Sequence, residues 1–315
     1  MPFSPYTCTS PDDPAREDDG LFGPGSVTWR IMSSRIMWVA ALRALYLQAL
    51  HPRVIRGTLQ NAPGITQAVD GWARLRRTRK FIETRTFGTT AEAEDAGRRV
   101  RKIHEALTGT DPDGTRYRVD EPELLRWIYV TATESFCHTA QRAGLRLTDA
   151  EVDQYYREQL QVARLVGLDP ATVPATAADM QEYYREMRPR LAADADARST
   201  ARYLAVPTFP YRLGWTPVRP LWIGVAAYGF SLLPGWARRL YGLPGLPTTD
   251  LTASMTARTI RGAIRLLPTQ ALEGPLYRAA MARAARARAT STTRKAGASA
   301  TISRTRTAGT ANATR

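Results

Sequence analysis

The chain has 315 residues with 44 Lys and Arg against 29 Asp and Glu, a formal charge of +15, and 43% hydrophobic residues. That length and apolar content suit one large domain or two small ones with a full core, and the composition excludes a collagen, a coiled coil, a wholly disordered chain and a disulfide scaffold. Two cysteines, Cys8 and Cys137, cannot make a disulfide framework, which fits a reducing cytoplasm.

Residues 1–20 are polar and rich in Pro and Asp, with no apolar run of the roughly 7–15 residues that a secretory signal needs, so they are expected to form a disordered leader. Folded sequence starts near "LFGPGSVTWR". Apolar and small residues then recur at helical spacing (Met37, Ala40, Ala41, Ala44, Leu45, Leu47, Leu50) until Pro52. The same reasoning predicts helices over 33–51, 66–86, 90–107, 121–143, 148–166, 176–192 and 220–240. Thr148 with Glu151 has the capping-box spacing, and Thr90 followed by Glu92 and Glu94 is a second start signal. No run alternates at period two, so the fold class is all-α, with a single helical domain over 21–285. Four prolines between 206 and 220 (Pro207, Pro210, Pro217, Pro220) mark an irregular connection.

The longest apolar stretch, Leu221 to Leu233, is shorter than the about 20 residues of a bilayer span, so it reads as a core helix or as a membrane-facing one. In the second reading, residues 221–239 make a peripheral membrane contact and Arg238 and Arg239 meet lipid headgroups. Nine basic residues and no acidic one fall in 278–315, leaving +6 on residues 1–277. Most of the charge is thus a property of a basic tail, 286–315, expected to be disordered and able to bind anions non-specifically. The tail lacks aromatics for base stacking, so no specific nucleic acid is predicted.

Only His51, His104 and His138 are available for imidazole chemistry. In "AEAEDAGRRVRKIHEAL", Ala93, Ala96, Gly97, Val100, Ile103, His104 and Leu107 share one helical face, which points the imidazole inward. Spacing alone leaves two readings: a core histidine bonded to a carbonyl, and a haem-iron ligand on an apolar face. His51 ends "ALRALYLQALHP", where a helix-capping role competes with a second-choice ligand role. Glu134 and His138 share a face, but the Glu-x-x-His set of a di-iron bundle is absent, so a local hydrogen bond is expected between them. Arg74, Arg77 and Thr78 fall together on one face, either as a solvated basic stripe or as an anion-stabilising cluster. "GTDPDGTRY" reads as a turn, because the spacing and final Glu of a calcium loop are missing. The absence of nucleophile-elbow, Walker, dinucleotide and zinc motifs argues against those classes.

Six segments taken in order, "LFGPGSVTWR", "ALRALYLQALHP", "ARLRRTRKFIETRTFGT", "AEAEDAGRRVRKIHEALTGTDPDGTRY", "DEPELLRWIYVTATESF" and "SLLPGWARRLYGLP", resemble the haem-dependent oxygenase family of the latex clearing proteins, or rubber oxygenases, and the MpaB-type oxygenases. The resemblance spans about Leu21 to Pro244. It implies an all-α fold with a globin-like core holding one haem b, used with dioxygen on an apolar, often isoprenoid, substrate. It makes His104 the proximal iron ligand and gives Arg74 and Thr78 the places of an Arg and a Thr near the haem. Arg77 stands where some rubber oxygenases have a Lys that coordinates iron; an arginine cannot do so, which implies an open or water-bound distal site. Tyr129 stands where many relatives have His. The stretch after His51 offers Gln60 and no acid in place of a carboxylate base, and polyisoprene is not the expected substrate.

The sequence reading is therefore a cytoplasmic haem b oxygenase acting with dioxygen on a small lipophilic, isoprenoid or terpenoid, substrate by oxygenation or cleavage of a double bond. Catalytic roles are expected for Arg74, Thr78 and Arg77, with His104 as the metal ligand and His104, Arg74 and Thr78 holding the cofactor. The rival readings are a haem carrier or sensor without turnover, and an anionic nucleic-acid or membrane binder acting through the tail.

Overall fold

The computed structural model describes residues 18–34, 36–62, 68–208, 218–243 and 276–286. Most of the leader and of the tail, together with Cys8 and 209–217, lie outside them. The helices are α1 (Val27–Met32), α2 (Met37–Ala49), α3 (Pro52–Asn61), α4 (Ala68–Phe87), α5 (Thr90–Glu105), α6 (Pro122–Arg142), α7 (Asp149–Leu165), α8 (Ala177–Met187), α9 (Ala195–Ala205), α10 (Val218–Ser231), α11 (Gly235–Leu240) and α12 (276–286). The all-α expectation is borne out. A short antiparallel pair, β1 (Thr108–Thr110) with β2 (Arg116–Arg118), closes over the Asp-Pro-Asp-Gly turn.

Several boundaries differ from those the pattern predicts. The stretch 33–51 begins only at Met37, and α1, α3 and α9 are additional helices. Pro52 does not end the helical region; it occupies the first turn of α3, where its missing N–H costs nothing. The segment 220–240 breaks at Pro234, the residue that caps α11. Start signals fare better: Thr148 and Glu151 form the expected capping box. The α5 box uses Thr89 with Glu92, one residue before Thr90.

The core is built on α2 and α6, both buried on most of their circumference (Val39, Ala40, Leu42, Ala44, Tyr46 and Leu47; Leu124, Trp127, Val130, Thr131, Ser135 and Phe136). A helix apolar all round must sit inside its domain. The small residues among them permit close approach, and α10 lies equally near: a Cβ on Gly229 would stand 3.2 Å from the Leu42 Cβ. Between these helices sits Arg43, 1% exposed. Its guanidinium forks onto Glu134, donates to Ser135 Oγ (2.6 Å) and to the Leu232 carbonyl (2.9 Å), and the Tyr184 hydroxyl adds a bond to Glu134 (3.2 Å). One ion pair thus ties α2, α6, α8 and the end of α10. Burial would raise the Glu134 pKa, but Arg43, with His138 behind it, holds the carboxyl below its ordinary value. Leaving either charge alone in the core costs roughly 3–5 kcal/mol, whereas an apolar pair of similar volume is nearly neutral. Denaturant unfolding should therefore show that loss for Glu134→Leu and its recovery in the Arg43→Met, Glu134→Leu double variant.

Candidate functional site

The site is framed by α4 and α5, an antiparallel pair joined at Gly88 and Thr89. The joint is tied to the body by several bonds. Trp29 Nε1 donates to the Thr86 carbonyl (3.0 Å), Asp18 accepts from Thr90 N and Oγ1 (2.8 Å each), and Arg283 of α12 donates to the Phe87 carbonyl (2.6 Å). Further along, α5 lies on the end of α7: Gly97 has room for no side chain, since a Cβ would meet the Leu165 carbonyl oxygen at 2.9 Å, and Arg101 donates to that same oxygen (2.6 Å). These contacts fix the rotation of α5 and so the direction of His104. At the far end of the pair, Trp72 of α4 stacks edge-on with Trp222 of α10, ring centroids 5.0 Å apart.

The inward face predicted for α5 holds for Ala93, Ala96 and Gly97, which are buried, and for the half-buried Val100, His104 and Leu107. Ile103 departs from it, being 58% exposed. His104 Nδ1 is sealed from solvent without a hydrogen-bond partner. Burial first, and then the Arg74 cation, push the imidazole pKa below its ordinary value, while Asp120 opposes them. The lowered pKa favours the neutral ring.

Arg74 and Thr78 are both exposed. Protein atoms nevertheless crowd Arg74 enough that burial, followed by Arg77, lowers its pKa. Arg74, Thr78, Phe81 and Arg85 follow one another at four-, three- and four-residue steps along one face of α4, and that face passes from exposed through half-buried Phe81 to buried Arg85. An open groove of about 640 Å³ also runs between α4 and α5, but it is lined by Arg76, Arg79, Lys80, Glu83, Asp95 and Arg99, on the opposite faces of both helices. Its charged walls suit water rather than an apolar molecule.

His51, the second-choice ligand, is 5% exposed and lies in the joint between α2 and α3 beside Trp127. It makes no side-chain cap, and its Nε2 is 3.9 Å from Glu123. His138 Nδ1 is likewise 3.9 Å from Glu134, too far for the local hydrogen bond expected of that pair. The apolar stretch from Leu221 divides between both readings, since Ala226, Tyr228, Leu232 and Leu233 are buried while Leu221 (69%) and Ile223 (37%) are exposed. Arg238 is 6% exposed and donates to the Ser231 carbonyl, so it is turned away from any headgroup. No helix among the described residues is long and apolar enough to cross a membrane. Among the same residues no group of three or more His, Cys, Asp and Glu side chains could hold a metal ion. An iron delivered with its own four ring nitrogens would need only one protein ligand.

Sequence reasoning missed Asp120, whose carboxylate is electrostatically coupled to His104 and is held by Arg118 Nε at 2.8 Å. Sixteen residues separate Asp120 from His104, and only the β1–β2 hairpin returns one to the other. Arg85 was missed because nothing in its local sequence sets it apart from the other arginines of α4.

The described residues thus bring a buried imidazole within electrostatic reach of a guanidinium on a neighbouring helix. Residues 29–268 match the family model for the catalytic domain of the ER-bound oxygenase mpaB/B′/rubber oxygenase, and the chain belongs to that oxygenase family. No curated protein and no solved structure matches it significantly.

Replacing Arg74 by Gln removes a cation beside His104, and the imidazole pKa should rise; Asp120→Asn should lower it. Side-chain NMR titration of the three histidines measures both. Because the folded value lies below the unfolded value of about 6.5, the unfolded chain takes up the proton first. The His104 contribution to stability is therefore complete above that pH and is lost as the pH falls toward the folded pKa.

Proposed function

We propose that the protein is a haem b oxygenase that uses dioxygen on a small lipophilic, isoprenoid or terpenoid, substrate. The observation that carries this reading is His104: a neutral imidazole, its Nδ1 buried without a partner, on a helix whose rotation is fixed by Gly97 and Arg101. A ring in this state suits a metal that brings its other ligands with it. His104 would hold the haem iron, and haem when bound supplies the activation of dioxygen.

The chain's own residues do the rest. Arg74 brings a fixed positive charge and a fork of donors to the side facing His104, where an oxygen atom gaining negative charge is stabilised. Thr78, one turn along the same face, offers a hydroxyl that can donate or accept. Arg77 stays protonated and repels a second cation, so it acts through charge and not as a ligand. Asp120 stands near His104 and favours a partial positive charge on the imidazole. The Phe81 ring supplies apolar wall next to Thr78.

Visible absorption of haem-supplemented protein tests the reading. The parent and His51→Ala should show a Soret band, and His104→Ala should lose it. Reduced parent protein should consume oxygen when offered a prenyl alcohol. A Soret band unchanged in His104→Ala would overturn the assignment, and haem binding without oxygen consumption would leave a carrier or sensor.

A further inference from the structure

Three arginines are buried among the described helices: Arg43, Arg85 and Arg238, the last donating to the Ser231 carbonyl. Arg43 has a carboxylate of its own chain, Glu134. Arg85, 5% exposed, has none among the described residues. Its Nη1 reaches Gln159 Oε1 at 3.4 Å, its guanidinium carbon lies 6.0 Å from the Phe81 ring, and its Nε is sealed without any hydrogen-bond partner. The carboxylate closest in sequence to that glutamine, Glu158, is already committed to the start of α1: it accepts from Val27 N, Thr28 N and Thr28 Oγ1. Gln159 spends its own amide on Thr28 Oγ1 (2.9 Å).

A second polar group beside Arg85 is also unsatisfied. The Tyr129 hydroxyl, buried on α6, makes no hydrogen bond of ordinary geometry. It is close enough to Arg85 for the two to influence each other electrostatically, as does Tyr155. The hydroxyl of Tyr155 is spent on the Thr133 carbonyl (3.1 Å). A guanidinium nitrogen and a phenol hydroxyl without hydrogen bonds of good geometry in a core are costly, because little replaces the hydration each gives up. The guanidinium offers only donors and the phenol can donate as well, so an anion with two oxygens would satisfy both.

From these observations we infer that Arg85 and Tyr129 form an internal carboxylate-binding subsite on the same α4 face as Arg74 and Thr78. Eleven residues of helix put it about 16 Å from Arg74 along the axis. The ligand is a carboxylate carried on an apolar body, and this rests on the lipophilic-substrate reading proposed above. The same chemistry comes from two sources, a terpenoid acid as substrate or a haem propionate, and Arg85 takes one of them.

The test uses the full-length protein and measures binding, not turnover. Affinities for farnesoic acid and farnesol are compared by tryptophan fluorescence, and those for haem and its dimethyl ester by the Soret titration, in the parent, Arg85→Met and Arg85→Lys. The subsite predicts a preference of about tenfold or more for the acid over the alcohol, or for haem over its ester, the scale of a charge-assisted fork. That preference should vanish in Arg85→Met and be partly kept in Arg85→Lys. Which pair of ligands shows it identifies the source. Unliganded Arg85→Met should unfold at a temperature equal to or above the parent's, since it loses an unpaired buried charge. Equal binding within both pairs in the parent, or a preference that persists in Arg85→Met, overturns the inference. A lost Soret band in the parent bears instead on the haem reading, and the acid–alcohol comparison stands without it.

Discussion

The buried pairing of Arg43 with Glu134 is the constraint on which the rest of the structure depends. Two charges removed from water must find each other in good geometry, and only one arrangement of α2, α6, α8 and the end of α10 lets the guanidinium reach Glu134, Ser135 and the Leu232 carbonyl together. Hydrophobic packing is non-directional and specifies register less sharply than a buried, hydrogen-bonded ion pair. With that register set, Tyr129 and the other α6 side chains have fixed depths in the core.

Upon that frame the α4–α5 pair is held firmly at one end and lies open at the other. At the joint, backbone carbonyls of Thr86 and Phe87 are taken by Trp29 and Arg283, and Asp18 caps Thr90. At the other end, Arg74 and Thr78 keep accessible surface. An inward helix face that passes from buried to exposed over three turns is a face against which something other than protein can pack. His104 borders that open end, and its neutrality follows from crowding and from the neighbouring Arg74, not from any hydrogen bond to the ring.

Much of this was legible in the sequence because it is local. The capping box at Thr148 and Glu151, the helical spacing of α2 and the shared face of Arg74 and Thr78 need only neighbours a turn apart. Family resemblance then selected His104 from three histidines, which periodicity could not do, and membership of the oxygenase family is borne out by the match over 29–268. What the sequence hid depends on distant partners. Arg43 and Arg85 are both arginines within helical patterns, and nothing nearby tells that one meets Glu134 ninety-one residues away while the other meets no carboxylate among the described residues. Asp120 is brought toward His104 by a two-stranded hairpin of three-residue strands, too short for alternation to register. Ile103 reads as core from its spacing, yet it is exposed near the end of α5 while the adjacent His104 is half-buried.

The central claim is that His104 is the protein's bond to iron. Resonance Raman spectroscopy of the ferrous, haem-loaded protein measures that bond through its iron–histidine stretching band. The account predicts the band in the parent, its absence in His104→Gly, and its return in that variant when free imidazole is added. A band that persists in His104→Gly without imidazole would contradict it, and would move the ligand to His51 or His138.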